Sequence, residues 1–340
     1  MIAESVILTQ DDKQALALLE DFLPGKIFDM HMHIGSARFS PGMWRPGNSF
    51  SRCGETITME RYGSHMGQLF GDREYRGNMI ICPDEQMAEA KSENRTVAVQ
   101  FLAQQLEKYP DCVGELPVGP ADTVEELENM LIHPRIIGFK CYHLATGKPD
   151  SFQREIGEYL PESAWQVADQ RGLCITLHMV RDLALADPEN MAYIKQMAIK
   201  YPNAKLILAH AARSFAAWTT METAEQLAQY PNVYFDLSAV CEPGAIFEII
   251  RKCGHKRVFW GSDYPIAMNR GKCVSIGAGF LWLLNAQLSD CTGDGAFPAY
   301  LVGVENLLAV RAACKMLDLD RKAVEDIFYN NAVELFDYKD

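Results

Sequence analysis

The sequence contains no long hydrophobic run. Although 48% of its 340 residues are hydrophobic, no stretch approaches the roughly 20 consecutive apolar residues that a membrane-spanning helix needs. The opening residues, MIAESVILTQDDKQ, also lack the basic and then apolar pattern of a signal peptide. These absences predict a cytoplasmic protein that has no membrane partner.

Positive charge is scarce. Lysine and arginine number 32 against 45 aspartates and glutamates, which gives a net charge of -13. Nucleic acids and anionic membranes attract basic surfaces, so the sequence argues against both as partners. An acidic exterior can still surround a locally positive pocket, and we therefore expect a small-molecule substrate.

The ten cysteines include no C-x-x-C pair and have no regular spacing. Several lie inside apolar runs, as Cys174 does in LCITLHM. Free cysteine behaves as a small hydrophobic residue in such surroundings. We therefore predict reduced, structural thiols rather than a disulfide framework.

The first apolar run is not followed by a glycine-rich phosphate-binding turn, which argues against a doubly wound dinucleotide-binding sheet. Instead, apolar runs alternate with amphipathic helical patterns along the whole chain. Such alternation predicts an α/β fold with a parallel sheet, and eight strands are the number that closes a (β/α)8 TIM barrel. We predict one domain over residues 1–340, with a core at 25–336. The predicted strands are 26–33, 78–82, 111–118, 135–143, 173–179, 205–210, 233–238 and 257–263.

Residues 35 to about 75 do not fit a tight turn between the first two strands. They are rich in glycine and proline and also hold Trp44, Phe50 and Tyr62. Long structured loops in compact domains are usually functional. We predict a long loop insertion after strand 1 that covers the site as a lid.

The stretch FDMHMHIG places His31 and His33 two residues apart on the first predicted strand. Residues i and i+2 of a strand face the same way, with Cα atoms roughly 6.6 Å apart. Two imidazoles can converge on one metal ion from that separation, while Met30 and Met32 would face the helices. The pair alone is weak support, because two histidines satisfied by hydrogen bonds would look the same.

Three further polar residues end predicted strands: His178 after LCITL, His210 after KLILA and Asp263 after RVFWGS. The carboxyl ends of barrel strands open onto one face, where active sites lie. Burying an aspartate among imidazoles without a cation is costly. The spacing therefore predicts a metal site at the mouth of the barrel.

The motifs DMHMH, IGFK, TLHM, LAH, FDLS, GSDYP and NNAVELF, in this order, resemble the metal-dependent amidohydrolase superfamily. The likeness is greatest to its amidohydrolase-related branch, which contains hydrolases and non-oxidative decarboxylases of the aminocarboxymuconate-semialdehyde decarboxylase type. The resemblance implies one divalent ion, zinc first and manganese second, with His210 beside it. It also implies a homo-oligomer. The implied metal ligands are His31, His33, His178 and Asp263.

Two segments depart from the family pattern. The histidine of the sixth predicted strand usually lies in a Gly-rich GH-x-G context, but here the sequence is AHAAR. The fourth predicted strand ends in KCYH where the family has K-L-H-P. In some superfamily members the lysine of this strand is carbamylated and bridges two metals. For Lys140 we prefer an ammonium that orients an anionic substrate group or pairs with an acid, and His143 is either a substrate contact or a surface histidine.

The chemistry that the resemblance implies is hydrolysis of an amide, ester or lactone by metal-activated water. Asp263 would accept the proton, and His210 would polarise the carbonyl. A non-oxidative decarboxylase on the same scaffold is the alternative, and a catalytically silent barrel is a third. Arginine binds carboxylates in a bidentate manner, so a carboxylated substrate would contact Arg45 beside Trp44 in the insertion, with Arg181 and Arg213 on the same rim.

Overall fold

The computed structural model describes residues 7–88, 92–284 and 299–336, and its centre is a curled sheet of mainly parallel strands. Strands β1 and β3 to β9 run parallel in chain order, and β2 adds an antiparallel edge to β1. A separate hairpin follows the barrel. The strands are β1 (Lys26–Ser36), β2 (Thr56–Ile57), β3 (Glu74–Ile81), β4 (Val113–Val118), β5 (Ile136–Cys141), β6 (Cys174–Leu177), β7 (Lys205–Leu208), β8 (Val233–Asp236), β9 (Val258–Phe259), β10 (Gly271–Ile276) and β11 (Gly279–Leu284).

Backbone hydrogen bonds between β1 and the segment that follows β9 close the sheet into a barrel. The amide of Met30 donates to the Trp260 carbonyl at 3.0 Å, and the amide of Asp263 donates to the His31 carbonyl at 2.8 Å. The amide of His33 then donates to the Tyr264 carbonyl at 2.9 Å. The predicted (β/α)8 barrel is therefore confirmed within the described residues.

Helices surround the barrel, and two of the long ones end just before a proline. Pro110 and Pro202 follow the C-cap residues of α4 (Glu93–Lys108) and α7 (Pro188–Lys200), which agrees with the tendency of proline to disfavour helix at the residue before it. None of the described helices is long and apolar enough to cross a membrane. The α-helices are α1 (Gln10–Leu19), α2 (Ser49–Arg52), α3 (Met59–Phe70), α4 (Glu93–Lys108), α5 (Val124–Met130), α6 (Glu162–Arg171), α7 (Pro188–Lys200), α8 (Trp218–Met221), α9 (Pro243–Cys253), α10 (Val302–Met316), α11 (Arg321–Glu325) and α12 (Asn331–Leu335), with a π-helical turn at Asp326–Asn330.

The insertion between the first two parallel strands is not the continuous loop that the sequence predicted. Residues 59–70 form α3, capped by Thr58, and residues 74–77 already belong to β3. Gly63 and Gly67 read as loop residues, yet they lie within the helix and face the Tyr75 hydroxyl. A Cβ at Gly63 would lie 2.7 Å from that oxygen, so this glycine permits a close approach of strand to helix.

Nine cysteines fall within the described residues, and all nine are free thiols, eight of them buried. Burial raises the pKa of the Cys174 thiol well above its usual value. The predicted structural thiols are thus present in this part of the chain, and Cys291 lies outside it.

A matched pair of aspartates follows α10. Asp318 adopts φ 50° just beyond the helix, whereas the exposed Asp320 caps α11 by accepting from the Ala323 amide at 2.8 Å. Glycine populates positive φ without strain, so we expect Asp318→Gly to stabilise the fold by about 0.5–1 kcal/mol. Loss of the cap in Asp320→Ala should instead cost about 1 kcal/mol. Denaturant unfolding of both variants measures the two effects. A change of the unfolding free energy in the same direction in both variants would contradict this interpretation of the turn.

Candidate metal centre and substrate cavity

Three of the predicted ligands converge at the mouth of the barrel. Asp263 Oδ1 lies 3.4 Å from His33 Nε2 and 3.7 Å from His31 Nε2. One ligand atom from each of these buried residues lies within 4.8 Å of the others. The structure thus brings together residues that lie 230 positions apart in the sequence.

A bulge in β1 sets the direction of its side chains. Asp29 pairs with Gly77 and Met32 with Met79, so β1 carries one more residue than β3 between these pairs. Met30 packs in a buried cluster with Phe28, with residues of other strands and with Tyr329 and Ala332 of the C-terminal helices, whereas Met32 belongs to the other, larger core cluster. The expectation that the two methionines share one face is wrong, because the bulge between Asp29 and Met32 shifts the alternation by one residue.

Asp236, at the end of β8, orients the His31 ring. His31 Nδ1 donates to Asp236 Oδ2 at 2.5 Å, and the Ser238 amide donates to the other carboxylate oxygen at 2.6 Å. Burial, together with the ammonium of Lys140, lowers the pKa of His31 to about 3, so the ring is neutral at neutral pH. Its Nε2 therefore keeps a lone pair for a metal or a donor, and Lys140 Nζ lies 3.1 Å away.

Asp263 is the ionised group of the cluster. Burial alone would raise the pKa of this carboxyl, but nearby His210, His33 and His31 outweigh it and lower the pKa to about 2. With the rings of His31 and His33 protonated on Nδ1, two imidazole nitrogens and a carboxylate face one another as acceptors, and Lys140 lies beside them.

This donor set fits a divalent cation. Lone pairs of converging acceptors repel one another unless a cation lies between them, and imidazole with carboxylate is a ligand set that suits zinc and also accepts manganese. The buried Nδ1 atoms of His33 and His178 have no hydrogen-bond partner among the described residues. The residues present therefore fit the predicted metal, which they would hold through His31, His33 and Asp263.

His178 lies at the same mouth but outside this group of three. Its ring centroid is 4.4 Å from that of Tyr142 and 5.2 Å from that of His210. Burial lowers the pKa of His178 well below its usual value, which keeps the ring neutral. Its role as a fourth ligand stays a prediction.

His210 begins a left-handed turn after β7. Residues 210–213 all have φ between 51° and 59°, and the Ser214 amide closes the turn on the His210 carbonyl at 3.0 Å. His210 Nδ1 donates to the Ser238 carbonyl at 3.1 Å, and the ring stacks on His31 at 5.0 Å. The AHAAR segment that departs from the family pattern thus adopts a backbone that glycine would favour.

A cavity of about 510 Å³ opens above this centre. His33, His178, His210 and Asp263 form part of its lining. Most of the remaining wall is apolar, and Arg213 contributes a cationic group. The aromatic lining residues are Phe50, Tyr142, Phe152, Phe215, Phe280 and Trp282.

The predicted substrate-binding residues occupy varied positions. Arg181 is bound to Asp187 and Glu189, and the exposed Arg45 lies 3.9 Å from Glu85, so the structure does not bring either arginine into the cavity lining. Trp44 is buried, donates to the Gly54 carbonyl at 2.7 Å and packs on Phe50, which lines the cavity.

His143 is buried, so it is not the surface histidine of one alternative, and it is not among the residues that line the cavity, so its role as a substrate contact stays a prediction. Its Nδ1 lies 2.8 Å from Ser151 Oγ, and its ring packs 4.2 Å from that of Phe152. Lys140 is buried beside His31, beneath the cavity, and no carboxylate lies within ion-pair distance of it among the described residues. Lys140 therefore contacts the candidate metal centre through His31.

Sequence reasoning missed Asp236, Glu115 and the hairpin. Asp236 ends the apolar run VYFD just as Asp263 ends its own, and that position could have marked it. Glu115 lies within VGELPV, where a charged residue in an apolar strand is the available signal. The hairpin residues Phe280 and Trp282 carried no signal, because their place over the mouth depends on tertiary packing.

Glu115 gives the fold a predictable dependence on pH. It accepts from Asn78 Nδ2 at 2.6 Å and Thr176 Oγ1 at 2.8 Å, and burial raises its pKa to about 7. A raised carboxyl pKa favours the protonated form in the folded state, so the stabilising contribution is present below pH 4.5 and lost as pH rises towards 7. Relative to Glu115→Gln, the wild type should lose roughly 3 kcal/mol at most over this window.

Denaturant unfolding between pH 4 and pH 8 measures this difference. The exposed Glu125 is the matched control, and Glu125→Gln should show no comparable loss of stability across this pH range. A constant difference between wild type and Glu115→Gln would show that this carboxyl titrates normally.

Comparison with known proteins identifies the family to which the chain belongs. Residues 29–338 match the family described as amidohydrolase, so this chain belongs to that family. One curated relative, L-fucono-1,5-lactonase from Burkholderia ambifaria, is 29% identical over 114 residues. That match covers 29% of this chain and only 39% of the lactonase.

Solved structures agree on the fold. An amidohydrolase from Burkholderia multivorans with bound zinc has a TM-score of 0.58 at 12% identity, covering 92% of this chain and 99% of that one. A 5-carboxyvanillate decarboxylase from Novosphingobium aromaticivorans, complexed with manganese and a nitrobenzoic acid derivative, has a TM-score of 0.56 at 13% identity, covering 94% of this chain and 97% of that one. At these identities the likeness shows the barrel fold alone.

Proposed function

We propose that the protein is a metal-dependent hydrolase that cleaves an amide, ester or lactone bond in a small, carboxylated substrate. The observation that carries this proposal is the convergence of His31, His33 and Asp263 beneath a cavity large enough for a small organic molecule. The partial match to a lactonase supports the reaction class. One divalent ion, zinc first and manganese second, is part of the proposal.

The ion would be held by His31, His33 and Asp263, with His178 as the fourth ligand. When bound, such an ion polarises a carbonyl group and makes water acidic enough to act as a nucleophile near neutral pH. Asp236 holds the His31 ring with Nδ1 protonated, so that Nε2 stays available as a ligand.

Asp263 is the proton acceptor. Its carboxylate is ionised and lies at the cavity wall, so it can take a proton from the attacking water and return it to the leaving group. His210 faces the same cavity with its Nδ1 proton donated to Ser238. The ring polarises a carbonyl only when Nε2 is also protonated, and otherwise accepts a proton there. The ammonium of Lys140 adds positive charge beside His31.

A non-oxidative decarboxylase is the second candidate. The aromatic lining of the cavity favours it, because flat hydrophobic walls suit an aromatic or enoic acid. In that reaction an acid at the site protonates the carbon that carries the carboxylate, and carbon dioxide leaves. The same residues serve both reactions, so the products distinguish them.

Metal analysis followed by a substrate panel tests the proposal. Protein produced with zinc or manganese should retain about one equivalent of metal after dialysis, and His33→Ala should lose it. His133→Ala, which alters a histidine paired with Glu107, is the control and should keep its metal. His178→Ala decides separately whether His178 is a ligand.

The panel contains carboxylated lactones, amides and aromatic acids. Metal-dependent ring opening or amide cleavage without release of carbon dioxide supports the hydrolase, whereas carbon dioxide release supports the decarboxylase. A wild-type protein that retains no metal under these conditions would overturn both.

A further inference from the structure

One cationic side chain of the cavity wall has no carboxylate within ion-pair distance among the described residues. Arg213 makes no hydrogen bond or ion pair there, and Asp182 acts on it only from a longer distance, whereas Arg45 and Arg181 both pair with carboxylates. Its guanidinium instead lies between two rings, with Cζ 5.4 Å from the centroid of Phe152 and 5.1 Å from that of Phe280. A half-buried arginine facing a cavity with unused donors is a ready site for an anion.

The backbone that carries Arg213 is strained. The left-handed conformation costs roughly 1–2 kcal/mol for each non-glycine residue, and the turn from His210 to Arg213 contains four of them. Strain of this kind persists where the surrounding structure requires one conformation, and it is common at functional sites. The turn fixes Arg213 three residues beyond His210, so both side chains line the same cavity.

A row of aromatic rings leads outward from the metal centre to this arginine. The ring of Phe215 stacks on His210 at 5.6 Å, and Phe280 follows at 4.7 Å from Phe215. Polar groups that could bind the hydroxyls of a sugar are few on this wall. Ser49 and Asn269 already hydrogen-bond each other at 2.8 Å, which leaves the Tyr142 hydroxyl and the Trp282 indole N–H among the apolar side chains.

We propose that Arg213 is the specificity-determining residue of the site, and that it binds the carboxylate of a planar, conjugated acid whose ring lies against Phe215. The inference rests on the proposed function and narrows its substrate class from small carboxylated molecules to flat, hydrophobic ones. An uncharged sugar lactone lacks the carboxylate for Arg213 and offers hydroxyls that an apolar wall leaves unsatisfied.

Calorimetric titration tests the proposal without turnover. The probes are 2-naphthoate, its neutral isostere 2-naphthamide and L-fucono-1,5-lactone, each added to metal-free and to zinc-loaded protein. Wild type should bind 2-naphthoate at least tenfold more tightly than 2-naphthamide in the metal-free form, and the lactone most weakly. Arg213→Gln should remove the preference for the acid while leaving binding of the amide unchanged.

Two further variants complete the set. Arg213→Lys keeps the charge but not the bidentate geometry, so it should keep only part of the preference. Arg171→Gln, which alters an exposed arginine paired with Glu128, should behave as wild type. Unchanged acid binding in Arg213→Gln, or tighter binding of the lactone than of 2-naphthoate, would overturn the proposal.

The two proposals fail separately. If the protein retains metal but shows no Arg213-dependent preference for the acid, the role of Arg213 in specificity is contradicted and the proposal of a metal-dependent enzyme is not. If metal-free protein prefers the acid to the amide but the wild type retains no metal, the proposed function is contradicted and the anion site at Arg213 is supported.

Discussion

Replacing Asp263 with alanine is expected to abolish turnover, with a loss of at least about 1000-fold on whichever substrate the panel identifies. General acid–base catalysis by one positioned group contributes about 10²–10⁴-fold, and this residue is also placed to hold the metal. Its carboxylate is ionised and lies 3.4 Å from His33 Nε2, so both roles depend on the same side chain. Metal content and steady-state kinetics on the same preparation measure the two losses together.

Asp263→Asn separates the role of Asp263 as a metal ligand from its role as a proton acceptor. The amide keeps a neutral oxygen that can still face the metal, but it cannot accept a proton. We expect this variant to retain more metal than Asp263→Ala and yet to show a similar loss of turnover when saturated with metal. The exposed Asp318→Asn is the control and should retain wild-type activity. Turnover within tenfold of wild type in Asp263→Asn would assign the proton transfer to another group.

The sequence was informative wherever a feature depended on local pattern. Buried parallel strands are short apolar runs, and polar residues at their carboxyl ends must meet at one face of a closed barrel. This reasoning located His31, His33 and Asp263 correctly at the mouth without any knowledge of their distances. The helix ends before Pro110 and Pro202 also depend only on neighbouring residues in the sequence.

Features that depend on tertiary contacts could not be predicted from the sequence in the same way. The bulge in β1 puts Met30 and Met32 in different core clusters, because register is decided by the neighbouring strand rather than by composition. Of the arginines near the mouth, Arg181 has two acids nearby in the sequence, at positions 187 and 189, and pairs with both. Arg213 has no acid within ion-pair distance in the part of the chain that the structure describes. Ion pairs with neighbouring carboxylates, and not position in the chain, therefore decide which arginine is available to bind substrate.

The centre also depends on residues that are not part of the cavity lining. Asp236 acts on His31, and Ser238 contacts both His31 and His210. Such supporting contacts orient ligands and determine how tightly a metal is held. Substitution of a supporting residue should therefore weaken metal binding while it leaves the ligand set intact.

Asp236→Asn is expected to raise the metal dissociation constant about 10- to 100-fold, the usual range for loss of a group that orients a ligating histidine. The asparagine can still accept from His31 Nδ1, but the negative charge that favours this tautomer is gone. Competition with a chromogenic chelator measures the change, and excess metal should restore most of the turnover. Asp326→Asn is a matched control, because Asp326 is an equally buried carboxylate that contacts His255 at 3.3 Å before the start of β9, far from the mouth. Equal loss of metal affinity in both variants would indicate general destabilisation, and no loss in Asp236→Asn would show that the His31 ring is held in place without this carboxylate.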